Sequence, residues 1–269
     1  MVYFGCPYAA RMLRMYSMIT EYPTLRKATL VIPACNEAEV IVHTLALFRG
    51  ALDHERNIDW TIVVADNGST DGTQDAVLGV SGEHIQLLRI KEKGKGNAVR
   101  AAFAKADGDI ALFTDADLPI LPEEIIAAVK LIAEGVSDVV VGSRLLPQSK
   151  MPGREWWRTW SSLMFNLFAR LIVGVHVSDT QCPLKVMNAK GIKVMLATKE
   201  PTWFFDLEFL ALAERLALCI KEIPVVWDEH RYPKRKSKLA MLDSIRAITA
   251  MFRIRKRLSI QVSLLERRL

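Results

Sequence analysis

Residues 28–66 read ATLVIPACNEAEVIVHTLALFRGALDHERNIDWTIVVAD. They contain an apolar β-branched run, ATLVIP (28–33), an amphipathic stretch near 38–50, and a second such run, WTIVVAD (60–66). Short unbroken apolar runs separated by helical periodicity mark strands that are buried on both faces and joined by crossover helices. The alternation continues downstream. Further strands are expected at IQLLRI (85–90), DIALFTD (109–115) and SDVVVG (137–142), with helices near 97–106 and 123–134. Pro122 fits the first position of that last helix, and Glu123 and Glu124 follow it where the macrodipole favours carboxylates. The fold class is therefore α/β, with a mostly parallel central sheet flanked by helices.

After residue 145 the alternation gives way to a Trp-rich helix and a loop at SDTQCP, then to helices near 188–198 and 206–217. A last strand, KEIPVVW (221–227), and a basic amphipathic tail follow. The expected organisation is an N-terminal extension at 1–27, one α/β domain at 28–235 and a C-terminal helical tail at 236–269, since a single α/β domain of this size is common.

Hydrophobic residues make up 51% and charged residues 25% of the 269 positions, a globular balance. The net charge of +6 points to anionic partners, and the basic residues gather in RYPKRKSK (231–238) and RIRKR (253–257). No recognition motif for nucleic acid accompanies them, so none is expected as a partner. The cysteines Cys6, Cys35, Cys182 and Cys219 lack the spacing of a zinc site or a disulfide framework and read as reduced. No apolar run reaches the roughly 18–20 residues that span a bilayer.

Two segments address a membrane surface. EWWRTWSSLMFNLFARLIVGV (155–175) suits an interfacial helix or, equally, a helix packed in the core. SIRAITAMFRIRKRLSI (244–260) sets Ile245, Ile248, Met251, Phe252 and Ile254 among arginines, a pattern of peripheral attachment or of a terminal helix packed on its domain. A membrane-protein partner or a second copy of the chain is the further occupant such a surface admits.

In a parallel α/β sheet, ligands sit outside the carboxyl ends of the strands. Three acidic sites fall there: Glu37 after LVIPACN, Asp66 closing TIVVAD, and Asp115 with Asp117 closing IALFTDAD. Residues i and i+2 of an extended segment point the same way, so Asp115 and Asp117 can share one hard cation; a polar turn explains the same letters. KEKGKGNAVRAA (91–102) offers glycines and lysines before a helix, which could cradle a phosphate, but it is neither a dinucleotide fingerprint nor a P-loop.

LVIPACNEAE, IVVADNGSTDGT, KGKGNAVRAA, LFTDAD and VVVGSR, in this order, resemble the GT-A domain of glycosyltransferase family 2 over roughly residues 28–145. SDTQCPLKV (178–186), FFDLEF (204–209) and RYPKRKSK are similar to the branch that transfers sugars to dolichyl or other polyprenyl phosphates. The resemblance implies a GT-A-type domain and a nucleotide-sugar donor bound by Pro33, Glu37, Asp66, Lys95, Asp115, Ala116, Asp117 and Arg144. Asp115 and Asp117 would hold Mg²⁺ or Mn²⁺, and Asp117 and Asp206 would be catalytic. Arg231, Ser237 and Lys238 would bind the phosphate of a polyprenyl acceptor at the cytoplasmic face of a membrane. A hydroxyl acceptor in cell-surface polysaccharide or glycolipid synthesis is the alternative. Asp206 is also accounted for as an N-cap of the helix FDLEFLALAERLA. Asn67 stands where the family carries a second acid.

Overall fold

The computed structural model describes residues 26–228 and 242–267. Seven strands form one sheet in the order β3-β2-β1-β4-β6-β5-β7: β1 (Arg26–Ala34), β2 (Ile58–Asp66), β3 (Ile85–Arg89), β4 (Ile110–Phe113), β5 (Val139–Ser143), β6 (Lys185–Asn188) and β7 (Ile220–Pro224). β3, β2, β1 and β4 run parallel, β7 runs parallel to β5, and β6 is antiparallel to both its neighbours. The α/β sheet expected from the sequence is present. β6 was not expected: it is four residues long, and its first residue is a lysine.

The helices are α1 (Ala38–Leu52), α2 (Thr73–Leu78), α3 (Lys95–Phe103), α4 (Pro122–Ala133), α5 (Trp156–Phe168), α6 (Ala189–Ala197), α7 (Phe205–Arg215) and α8 (Leu242–Glu266). α5 runs on into a π-helical turn, Ala169–Val173. Pro122 does occupy the first position of α4, after Leu121. α1, α2 and α4 cover one face of the sheet, where Leu30, Ile32, Ile62 and Val64 meet Ile41, Phe48 and Ile125. α3, α6, α7 and α8 cover the other, around Val31, Phe113, Phe205 and Ile254. Residues 28–32 of β1 are all buried because both faces are covered, which explains their unbroken apolar run.

α8 packs on the domain along part of its surface. Met251 and Ile254 are buried, whereas Ile245, Ile248 and Phe252 from the same expected stripe are exposed. Its basic residues have found buried acids: Arg257 Nε donates to Glu208 Oε1 at 2.6 Å, and Arg257 and Arg253 both donate to the Glu200 carboxylate. No helix among the described residues is long and apolar enough to cross a membrane. Cys35 and Cys182 are free, as the cysteine spacing suggested for them.

Candidate active site

The strand order turns at β1, which has β2 and β3 on one side and β4 on the other. Loops leaving β1, β2 and β4 therefore diverge above this point and leave a crevice, the usual ligand position in such sheets. β6 runs the other way, so its first residue, Lys185, lies at the same rim, in register with Phe113 of β4 and Val141 of β5.

The loop after β1 and the loop after β2 are stitched together. Asn36 accepts the Thr70 N–H, Thr73 Oγ1 accepts the Glu37 N–H, and Asp71 accepts from Ala38 and Thr73. Burial pushes the Asp71 carboxyl up, but these hydrogen bonds outweigh it and leave its pKa below the usual value. Pro33 pairs with Ala65 beside Asp66, and its missing N–H costs no ladder bond to β4, because that pairing ends at Val31. Asp66 is buried; its Oδ2 accepts from Gln74 at 2.7 Å, while Oδ1 has no hydrogen-bond partner among the described residues. A buried, half-satisfied carboxylate at a strand end is suited to a polar ligand edge.

Asn67 does what an acid in its place cannot. Its amide oxygen accepts the Gly94 N–H at 2.5 Å while its NH₂ donates to the Glu92 carbonyl at 2.7 Å, tying the glycine-rich loop to β2. The glycines of that loop serve a purpose different from the one read in the sequence. Gly94 has φ +125°, and a Cβ there would meet the Pro201 carbonyl oxygen at 2.2 Å; one on Gly96 would meet the Glu200 oxygen at 2.4 Å. The Gly96 N–H already donates to Pro201. The glycines thus admit the chain that enters α7, and that N–H is not offered to a phosphate.

This close approach brings Lys95 and Trp203 together over the end of β4. Lys95 Nζ lies 2.6 Å from Asp115 Oδ1, with the Trp203 ring centroid at 4.8 Å and that of Phe113 at 5.9 Å. Burial works against the ammonium, but Asp115, Asp206 and Asp117 outweigh it and hold the pKa above the usual lysine value. Asp115 and Asp117 are both half-buried, and Ala116 between them is buried, its carbonyl accepting from Thr44 Oγ1 at 2.7 Å. Among the described residues, no cluster of three acids, histidines or cysteines stands ready for a metal. Two carboxylates nonetheless fit a hard divalent cation that takes its other ligands from a diphosphate and water.

Asp206 is not the N-cap expected of it. The cap is Phe204, and Asp206 faces inward, fully buried, with Oδ2 3.6 Å from Lys185 Nζ and Oδ1 without a partner among the described residues. Burial pushes its carboxyl up to about 6, against the pull of Lys185 and Lys95. Lys185 escaped sequence reasoning altogether. It is wholly buried, donates to the Cys182 carbonyl, and lies 5.8 Å from the Phe113 centroid, so a second cation sits beneath the rim.

Arg144 leaves the end of β5. Its fork is engaged by Asp179, with Nε to Oδ2 at 2.7 Å and Nη2 to Oδ1 at 2.9 Å, and its guanidinium stacks 4.7 Å from the Trp227 centroid. Burial would raise Asp179; the Arg144 charge outweighs it and keeps the carboxyl below its usual pKa. Asp66, Lys95, Asp115, Asp117 and Asp206 therefore converge on one rim, with Pro33 and Glu37 beside Asp66 and Arg144 further along. Arg231, Ser237 and Lys238 lie outside the described residues.

The model of glycosyl transferase family 2 matches residues 29–195. A dolichyl-phosphate beta-glucosyltransferase of Saccharomyces cerevisiae is 32% identical over 241 residues, covering 81% of this chain and 71% of the relative. One from Trichomonas vaginalis is 29% identical over 217 residues, covering 75% and 65%. The chain thus spans about two thirds of the length of these curated relatives. A glucosyl-3-phosphoglycerate synthase from Mycobacterium tuberculosis, solved with Mn²⁺, uridine diphosphate and phosphoglyceric acid, superposes with a TM-score of 0.60 at 20% identity. That likeness covers 84% of this chain and 76% of the other, and at such identity it bears on the fold.

Proposed function

Because the chain belongs to glycosyltransferase family 2, we propose that it transfers a hexose from a UDP- or GDP-sugar to a polyprenyl or dolichyl phosphate, with inversion at the anomeric carbon, at the cytoplasmic face of a membrane. The observation that carries this reading is the convergence of Asp66, Asp115, Asp117, Asp206 and Lys95 where the strand order turns. The names of the curated relatives support the lipid-phosphate acceptor.

In this reading the open oxygen of Asp66 takes the nucleoside, beside Pro33 and Glu37, and Asp115 and Asp117 would hold Mg²⁺ or Mn²⁺ on the diphosphate side of the donor. When bound, that cation supplies positive charge to the departing diphosphate. Lys95, kept charged by its acidic neighbours, orients Asp115 and adds a second positive charge at the rim. The acceptor phosphate is already anionic at neutral pH, so its oxygen forms the bond to the anomeric carbon as the bond to the nucleoside diphosphate breaks, without a strong base. Asp206, held by Lys185, supports the sugar side of the site, Arg144 belongs with the donor-binding residues, and Arg231, Ser237 and Lys238 serve the acceptor phosphate.

Incubation with UDP- or GDP-hexose, divalent metal and a polyprenyl phosphate should yield a glycosyl polyprenyl phosphate whose anomeric configuration, read by NMR, is opposite to the donor's. Retention of configuration, or sugar found only on hydroxyl acceptors, overturns the reading.

A further inference from the structure

α5 is built inside out. Its polar side chains face the domain: Asn166 Oδ1 accepts from the Thr180 N–H and hydroxyl at 3.0 and 2.8 Å, and Ser162 accepts from Arg154 at 2.7 Å. Trp156, Trp160, Leu163 and Leu167, spaced i, i+4, i+7 and i+11, form the opposite stripe, and none of them is buried. Trp156 is 75% exposed, Trp160 61%, and Leu171 on the following turn 66%. A helix on a water-facing surface carries the reverse pattern, and an apolar patch this continuous marks something that covers it.

The occupant is indicated by charge and place. From Trp156 to Val173 the chain has two arginines and no acid, and the exposed Arg170 lies within this span. The turn after α5 is held by α8 through the bond from Arg255 to the Ile172 carbonyl at 2.9 Å; from residue 244 to 265 α8 has five basic residues and no acid. Glu155, at the start of α5, pairs with Arg158 at 3.9 Å, and Arg253 and Arg257 are taken by Glu200 and Glu208, which leaves Arg170, Arg255 and Lys256 as a net positive margin. Tryptophans over leucines beside such a margin match the boundary between headgroups and acyl chains of an anionic bilayer. The inner side of α5 touches the site: Phe165 stacks on Phe204 with centroids 6.0 Å apart, and Phe204 adjoins Trp203 and precedes Asp206 by two residues.

We infer that the outer stripe of α5 docks on the surface of an anionic lipid bilayer and so places the rim of the site beside the headgroups. The inference rests on the lipid-phosphate reading for its purpose but not for its test. The full chain is mixed with phosphatidylcholine vesicles, with and without phosphatidylglycerol, in the absence of sugar nucleotide and polyprenyl phosphate. Sedimentation and quenching of tryptophan emission by brominated lipids are then measured. The anionic vesicles should bind the protein and quench its tryptophans. Trp160→Glu with Leu167→Glu should weaken binding about tenfold or more, while thermal melting and binding of uridine or guanosine diphosphate stay unchanged. A milder pair, Trp160→Ala with Leu167→Ala, gives the same direction should the charged variant fail to fold.

Absence of vesicle binding overturns the inference, as does binding that the α5 variants leave intact. So do a light-scattering dimer that the variants dissociate, which gives the face to a second copy, and binding that appears only once residues 1–25 are removed. Vesicle binding without sugar transfer would count against the proposed function alone. Transfer in detergent without vesicle binding would count against the docking surface alone.

Discussion

The ammonium of Lys95 lies 2.6 Å from Oδ1 of Asp115, at the end of the fourth strand. The pair joins the glycine-rich loop, which tethers to the second strand through Asn67, to the acidic turn that would receive the donor diphosphate. Lys95→Met should lower kcat/KM by about 100-fold. In an Asp115→Asn background the same substitution should cost little more, because each change disables the same unit. Steady-state kinetics on the two single variants and the double variant test this; additive losses would separate the residues' roles.

Asp206 gives the fold a pH dependence of unusual sign. Burial raises its carboxyl from 3.8 to about 6, so within that window the folded chain holds a proton that the unfolded chain has released. The contribution of Asp206 to stability is then greatest at low pH and declines as pH rises through about 6, by no more than about 3 kcal/mol. Asp206→Asn cannot titrate. Urea unfolding from pH 4 to 7 should show the wild type losing ground to the variant as pH rises, and parallel curves would contradict the shift.

Gly96→Ala should cost about 2–4 kcal/mol, since its Cβ would lie 2.4 Å from the Glu200 oxygen and 2.8 Å from Phe205 Cβ, and backbone must move. Gly50→Ala, within the first helix and with nothing within 4 Å of the added carbon, should instead stabilise by about 0.5–1 kcal/mol. Thermal melts of the two variants should move in opposite directions.

The C-terminal helix is clamped unevenly. Arg257, 23% exposed, bonds both Glu208 and Glu200, each of which is fully buried, whereas Arg253 is 54% exposed and bonds Glu200 alone. Arg257→Ala leaves the buried Glu208 carboxylate without its ion-pair partner, held by the backbone N–H groups of Lys199 and Glu200, and should cost about 3 kcal/mol. Arg253→Ala should cost about 1 kcal/mol or less. Equal losses in denaturant titrations would refute the difference.

Which parts were legible follows from how local each signal is. Asp66 and the pair Asp115 and Asp117 could be placed because they close two apolar runs, and strand ends are set by a few neighbouring letters. The sixth strand could not: four residues opening on a lysine give no period, and a wholly buried lysine runs against ordinary burial. Gly94 and Gly96 were visible as special, yet their reason is contact with residues 200–205, some hundred positions away. The tryptophan stripe of the fifth helix was also visible. Periodicity shows that a helix has two faces and leaves open which one turns inward; Asn166 on Thr180 decides it.

On the proposed function, metal, donor and lipid phosphate meet at one acidic rim. The most direct test is release of nucleoside diphosphate from UDP- and GDP-hexoses with Mg²⁺ or Mn²⁺ and a polyprenyl phosphate in detergent, comparing the wild type with Asp117→Ala. Release that requires both the lipid phosphate and the metal, and falls by about 1000-fold in the variant, is the predicted result. Release that persists without the lipid phosphate, or that Asp117→Ala leaves intact, would contradict it.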